Sequence, residues 1–336
     1  MFKIDIHTHI IPPDINDITK YFRDNRFLQL KNLKQNSADL YRDNSFFRKI
    51  ECNCWNPKKR SNEMVHSNVD MQVLSTIPVL FSYWANPSEC LELSRYLNDH
   101  ISETVRLYPH KFFGLGTIPM QKNDFAIDEM DRCINDLKLH GIEIGTNING
   151  DNLSEKKYEP IFEHAEKINC PIFVHPWDVM GEKSISKYWL PWLVGMPAEI
   201  SRAICSLIFG GILEKYPNLK IAFAHGGGSF PYTIGRIDKG FKARPDLCAI
   251  DNNILPSNYL QNFYIDSLTH SKESLKYLIN TVGYKKIALG TDYPFPLGES
   301  EPGKLIESIN LSDKIKKRMY SGTAFEWLGI NEKKYL

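Results

Sequence analysis

The run Met1-Phe2-Lys3-Ile4-Asp5-Ile6-His7-Thr8-His9 places two histidines two positions apart at the end of an apolar stretch. Side chains alternate faces along a β-strand, so His7 and His9 point the same way and Phe2, Ile4 and Ile6 take the other face. Two imidazoles side by side at the end of a short buried strand form a chelating pair, and imidazole suits zinc well. A His-x-His pair is also common on protein surfaces, so the pair alone leaves the metal open. Three further polar residues follow apolar runs of the same kind. His175 closes Val174-His175-Pro176-Trp177-Asp178, His225 closes Ala224-His225-Gly226-Gly227-Gly228, and Asp292 lies in Leu289-Gly290-Thr291-Asp292-Tyr293-Pro294. Taken singly, each has an ordinary reading: a hydrogen-bonded core histidine, or an aspartate in a turn.

The elements that carry these residues change that reading. Apolar runs at Val73–Pro78, Phe112–Thr117, Gly141–Gly145, Pro171–His175, Lys220–His225, Asn262–Asp266 and Lys286–Gly290 read as strands. Helical stretches lie between them around Pro87–Tyr108, Phe125–Leu139, Glu159–Lys167, Glu199–Tyr216 and Lys272–Asn280. C-terminal helices follow around Pro302–Met319 and Ala324–Leu328. With the opening strand this makes eight, and near-continuous Val/Ile/Leu/Phe runs suit parallel strands covered on both faces. Eight alternating units predict an α/β fold of the closed (β/α)8 TIM-barrel type. Residues 1–336 read as one domain. A polar, aromatic-dotted insertion over about residues 10–65 has no clear core period and is expected to cover one mouth of the barrel; it contains Arg48 and Cys54-Trp55.

Barrel enzymes build their sites from the C-terminal ends of strands. His7, His9, His175, His225 and Asp292 all fall there, which is hard to attribute to chance. Three histidines and one aspartate make a nitrogen-rich set that leaves zinc an open position for water. His225 is best kept off the metal as a general base or acid, because an imidazole titrates near the pH to which such a water is acidified.

Bulk properties narrow the classes of function. Forty-one Lys and Arg balance forty Asp and Glu, for a net charge of +1, so no global field attracts nucleic acid or an anionic membrane. Short clusters such as Lys58-Lys59-Arg60 read as solvated faces. No secretory signal is visible and no apolar stretch approaches the length of a membrane span. Seven dispersed cysteines fit a reducing compartment, so a cytoplasmic location is expected. Cys52 and Cys54 read as packing residues. The triple glycine lacks the G-x-G-x-x-G spacing of a dinucleotide loop, and Ser229-Phe230-Pro231 is not a nucleophile elbow. Glycines there permit close backbone approach.

The opening Asp5-x-His7-x-His9, with the later His175, His225 and Asp292, resembles the amidohydrolase superfamily. Longer strings narrow the resemblance to its decarboxylases: Phe81-Ser82-Tyr83-Trp84, His175–Asp178, Tyr188–Glu199 and Leu289–Glu299. The resemblance implies a distorted barrel and one catalytic zinc per subunit, held by His7, His9, His175 and Asp292. It assigns activation of the zinc-bound water to His225, and it implies non-oxidative removal of CO2 from a small dicarboxylate. It further implies a homodimer in which substrate carboxylates meet Arg48 and Arg236, the latter supplied by the neighbouring subunit, in a pocket lined by Trp192 and Phe295. Guanidinium forks suit carboxylates because they meet them bidentately. Binuclear members carry a lysine at the end of the fourth strand, where this chain has Gly145-Thr146. Other activities of the superfamily use the same ligands: decarboxylation of a hydroxybenzoate-like acid, or hydrolysis of a lactone or amide. A non-catalytic scaffold would predict an eroded site, whereas all five residues are present.

Overall fold

The computed structural model describes residues 1–336. Eight parallel strands form the barrel: β1 (Ile4–Ile10), β5 (Met71–Thr76), β6 (Phe112–Thr117), β7 (Gly141–Gly145), β10 (Ile172–His175), β11 (Ile221–Phe223), β12 (Tyr264–Asp266) and β13 (Ile287–Ala288). They neighbour one another in chain order. Closure between the two edges is made by the Ile6 amide donating to the Leu289 carbonyl at 2.9 Å and the His9 amide donating to the Tyr293 carbonyl at 2.8 Å. A parallel bridge between Thr8 and Tyr293 completes the seam. Every residue of β1, β5, β6 and β7 is buried. Helices cover the outer face of these strands and side chains fill the inner one, which is why the runs are apolar throughout rather than alternating.

Five smaller strands complete the count. β2 (Gln29–Lys31), β3 (Ser37–Arg42) and β4 (Ser45–Glu51) form an antiparallel sheet inside the insertion, and β8 (Asn147–Ile148) pairs with β9 (Asp151–Asn152). The insertion sheet buries Leu30, Ala38, Leu40 and Ile50 against Ile77, Val79 and Leu80, which follow β5. That apolar contact sets the sheet over the C-terminal mouth of the barrel. β3 alternates, burying Ala38 and Leu40, but β2 has only three residues and β4 buries Ile50 alone, so the sheet offers too few repeats to stand out from the sequence.

Three expectations change in the structure. The helix Phe230–Ala243 is hidden in the sequence by the glycines that precede and punctuate it, at 226–228, 235 and 240. The expected helix over 302–319 is broken into Lys304–Glu307 and Asp313–Lys317, the latter running on through Gly322 into Thr323–Leu328. The helical run Pro191–Phe209, 19 residues of mean hydropathy 1.3, is long and apolar enough to cross a membrane by length and composition, contrary to the expectation of no such stretch. Half of it is buried inside the structure.

Candidate metal centre and active site

β1 ends with His7 and His9 pointing into the barrel, both at most 1% exposed. β10 ends with His175, and Asp292 follows β13 by four residues. Gly290 allows that last segment to pass close, since a Cβ there would stand 3.0 Å from the His7 Cβ and 2.7 Å from the Asp266 Cβ. One ligand atom from each of His7, His9, His175 and Asp292 lies within 4.8 Å of the others. Asp292 Oδ1 is 3.1 Å from His9 Nε2 and 3.5 Å from His7 Nε2.

The imidazoles are oriented from behind. His7 Nδ1 donates to the Asp266 carboxylate at 2.7 Å, His9 Nδ1 to the Thr76 carbonyl at 2.8 Å, and His175 Nδ1 to the Pro176 carbonyl at 3.0 Å. Each ring therefore turns an unprotonated Nε2 inward, and all three Nε2 atoms are buried without a hydrogen-bond partner. Buried polar atoms are seldom left so. Three converging lone pairs beside one carboxylate oxygen fit a divalent cation, and the outer hydrogen bonds are those that hold metal-ligating histidines in place.

The electrostatics favour the same occupant. Burial lowers the pKa of His7 against the opposing pull of Asp266, and burial together with His9, His7 and His225 drives that of His175 well below its ordinary value. Protons therefore compete weakly for those lone pairs. Burial alone would raise the Asp292 carboxyl, but a hydrogen bond from His225 and the positive charge that His7 and His9 carry when protonated hold it well below the usual range. Glu143, fully buried on β7, accepts from Ser75 Oγ at 3.0 Å, and burial raises its pKa well above the usual range. Asp292 is the one carboxylate in the four-residue cluster. Burial also raises the Cys54 thiol to about 12, in keeping with a packing residue.

His225 stands outside the four-residue set, its Nε2 3.8 Å from Asp292 Oδ2. His225 and Asp292 both adopt left-handed backbone conformations, with φ of 54° and 59°. Such conformations persist in non-glycine residues only where the surroundings impose them. For His225 the restraint is Asp266, which accepts from the backbone amides of His225 at 2.9 Å and Gly226 at 2.7 Å while holding the His7 ring. Gly228, at φ 62°, packs so close that a Cβ would meet the Pro197 carbonyl at 2.2 Å.

Two cavities meet at Asp292 and Trp192. The larger, about 560 Å3, is lined by His225, His270, Tyr232 and Tyr277 among others. The smaller, about 40 Å3, is enclosed by His9, His175, Phe47, Arg48, Trp177 and Phe295. The Arg48 guanidinium lies 5.0 Å from the Phe295 ring, 5.3 Å from Phe47 and 5.8 Å from Trp192, and it forms no ion pair. Aromatic faces stabilise the cation and leave its hydrogen-bonding edge free. The structure thus brings His7, His9, His175, Asp292, His225, Arg48, Trp192 and Phe295 together. It does not bring Arg236 to them: that residue is exposed on the helix Phe230–Ala243, one turn beyond the cavity-lining Tyr232. Sequence reasoning misses Asp266 and Arg60. Asp266 carries the same signal as the ligands, a polar residue ending an apolar run. In Lys58-Lys59-Arg60 the two lysines are solvated as expected, but Arg60 is fully buried.

The amidohydrolase family matches residues 4–330. The chain is 51% identical to the 2-amino-3-carboxymuconate-6-semialdehyde decarboxylase of Dictyostelium discoideum, over 99% of this chain and 93% of that protein. Its identity to the Caenorhabditis elegans protein of the same name is 34%, over 98% and 95%. The fold is similar to that of a 5-carboxyvanillate decarboxylase from Novosphingobium aromaticivorans, complexed with manganese and 4-hydroxy-3-methoxy-5-nitrobenzoic acid. That likeness has a TM-score of 0.81 at 19% identity, over 98% of this chain and 96% of the other. The cluster of His7, His9, His175 and Asp292 is arranged to hold a divalent metal ion. The chain belongs to the amidohydrolase family and, within it, to the family of the 2-amino-3-carboxymuconate-6-semialdehyde decarboxylases.

Proposed function

We propose that this protein removes CO2, without oxidation, from 2-amino-3-carboxymuconate semialdehyde to give 2-aminomuconate semialdehyde. The reading places it in tryptophan (kynurenine) catabolism, where it limits quinolinate formation. The observation that carries it is Arg48: a guanidinium without an ion-pair partner, aimed into an aromatic pocket that shares His9, His175 and Asp292 with the metal cluster. A carboxylate docked on Arg48 puts the carbon to which it is attached beside those ligands, which is chiefly a positioning effect. We assign the metal as zinc, because three imidazoles and one carboxylate are softer donors than the oxygen sets that suit manganese.

In the reaction one carboxylate leaves as CO2, the electrons of its carbon–carbon bond stay on the substrate carbon, and a proton takes the vacated place. Lewis acidity, which draws electron density from bound oxygen, is the chemistry a divalent ion supplies when held in the cluster. His225 is the proton carrier: its Nε2 faces the cluster from the larger cavity, outside the ligand set. Trp192, Phe295, Phe47 and Trp177 exclude water from the small pocket. Arg236 then completes the site from a second copy of the chain. Its place at the exposed rim, beside Tyr232, suits insertion into a neighbour's cavity rather than its own.

Incubation with freshly generated semialdehyde should release one CO2 per substrate consumed. A hydrolysis product without CO2 would replace this assignment by one of the hydrolytic activities. Purified protein should contain zinc, and reconstitution in which manganese alone restores turnover would overturn the choice of metal. Arg48→Ala and Arg236→Ala should each be inactive alone, yet a mixture allowed to exchange subunits should recover up to about a quarter of the activity of an equal amount of unmodified protein. That fraction follows if subunits pair at random, one quarter of the sites receiving both arginines. Failure to recover activity despite verified exchange would place both arginines in one subunit.

A further inference from the structure

Arg60 is a buried cation that makes no ion pair, although Glu63 and Asp5 attract it from beyond hydrogen-bond reach. It lies on the helix Pro57–His66, which starts at Asn56, whose side chain accepts from the Lys59 amide at 3.1 Å. The next turn of that helix buries Arg60 and Met64 on one face while Lys58 and Lys59 stay in water. Arg60 is 0% exposed. All its hydrogen-bond acceptors are neutral oxygens: Thr8 Oγ1 at 3.3 Å, Gln72 Oε1 at 3.2 Å, the Asn53 carbonyl at 3.3 Å and the His9 carbonyl. Its guanidinium also lies 4.7 Å from the centre of the Tyr293 ring, and the Tyr293 hydroxyl bonds to Glu63 of the same helix.

Burying an unpaired charge is costly, and an apolar side chain of similar volume would serve packing alone better. The contacts of Arg60 indicate what the charge does. One partner is the carbonyl of the ligand His9, and another is the ring of the residue that follows the ligand Asp292. These ligands stand on opposite sides of the barrel seam, where the His9 amide donates to the Tyr293 carbonyl. One guanidinium, carried by the insertion, thus grips both sides just behind the metal cluster.

We propose that Arg60 is a positioning residue of the metal centre: it fixes the spacing between His9 and Asp292, and thereby the affinity and coordination geometry of the bound ion. The proposal rests on the metal cluster assigned above. A guanidinium can reach four oxygens and stack on a ring at once, which an ammonium cannot.

The test is titration of the full chain, stripped of metal, with Zn2+ against a competing chelator, and with Co2+ while its visible absorption is followed. Arg60→Met should weaken Zn2+ binding about 10- to 100-fold, the range usual for outer partners of metal ligands, and should shift the Co2+ bands. Arg60→Lys should fall between it and the unmodified protein. Tyr293→Leu should shift the Co2+ spectrum in the same sense, and adding it to Arg60→Lys should cause less than the sum of the two losses. Unchanged affinity and spectrum in Arg60→Lys and Tyr293→Leu would overturn the proposal, even if Arg60→Met does not fold. So would a lowered melting temperature of the metal-free protein with the Co2+ spectrum intact, which marks a merely structural role. If the unmodified chain binds neither ion, the metal cluster itself is refuted, a result distinct from either.

Discussion

Replacing His225 with alanine is expected to reduce turnover about 10^2- to 10^4-fold, the span usual for loss of a general acid or base, while one metal ion per chain remains. The four ligand atoms lie within 4.8 Å of one another without His225, so its removal takes nothing from the cluster. The local backbone should also survive, because the amides of residues 225 and 226 donate to Asp266 whatever side chain residue 225 bears. Alanine does incur a conformational penalty at φ 54°, of about 1 kcal/mol. Asparagine tolerates that region better, so His225→Asn should match alanine in lost turnover but hold its melting temperature closer to that of the unmodified protein. Turnover and metal content measured on both variants separate chemistry from strain. Full activity in either would remove His225 from the mechanism.

Asp292→Ala should do the opposite, emptying the site of metal and with it removing all activity. Asp292 is the one carboxylate of the cluster, and its Oδ1 stands within 3.5 Å of both His7 Nε2 and His9 Nε2. Three imidazoles left without it must hold a buried dication with no anionic ligand, the nearby Asp266 acting only through the His7 ring. The loss in affinity should exceed the 10- to 100-fold that follows when only an outer partner of a ligand is removed. Asp292→Asn keeps an oxygen donor and tolerates the φ of 59°, so it should retain metal more weakly than the parent and more firmly than alanine. Elemental analysis after dialysis against a chelator distinguishes the three. An alanine variant that keeps one ion per chain would strike Asp292 from the ligands.

Both substitutions concern residues legible in the amino-acid sequence. His7 and His9 declare themselves because strand alternation forces them onto one face. His175 and Asp292 stand out as polar residues at the ends of apolar runs in a predicted barrel. Asp266 ends Tyr264-Ile265 in the same way, yet nothing in the sequence tells that it holds both the His7 ring and the His225 backbone. Arg60 cannot be found by such means. Its neighbours are lysines that do face water, and its burial depends on which face of a charged helix meets the barrel, a tertiary fact. The helix carrying Arg236 is obscured by glycines, and the place of Arg236 outside its own cavity depends on that helix. Local periodicity thus reports the strands and their end residues. It says little of the parts whose role arises from packing between segments distant in the chain.

The barrel seam has a consequence for biosynthesis. Asp5, at the opening strand, bonds with Thr291, 286 positions later, and the cage draws ligands from both sides of that junction. A nascent chain emerging from the ribosome carries His7 and His9 long before the final ligand, Asp292, which follows His9 by 283 positions. Metal capture is therefore a late event of maturation, and prematurely terminated products lacking the Asp292 segment have neither a closed ring nor a complete cage.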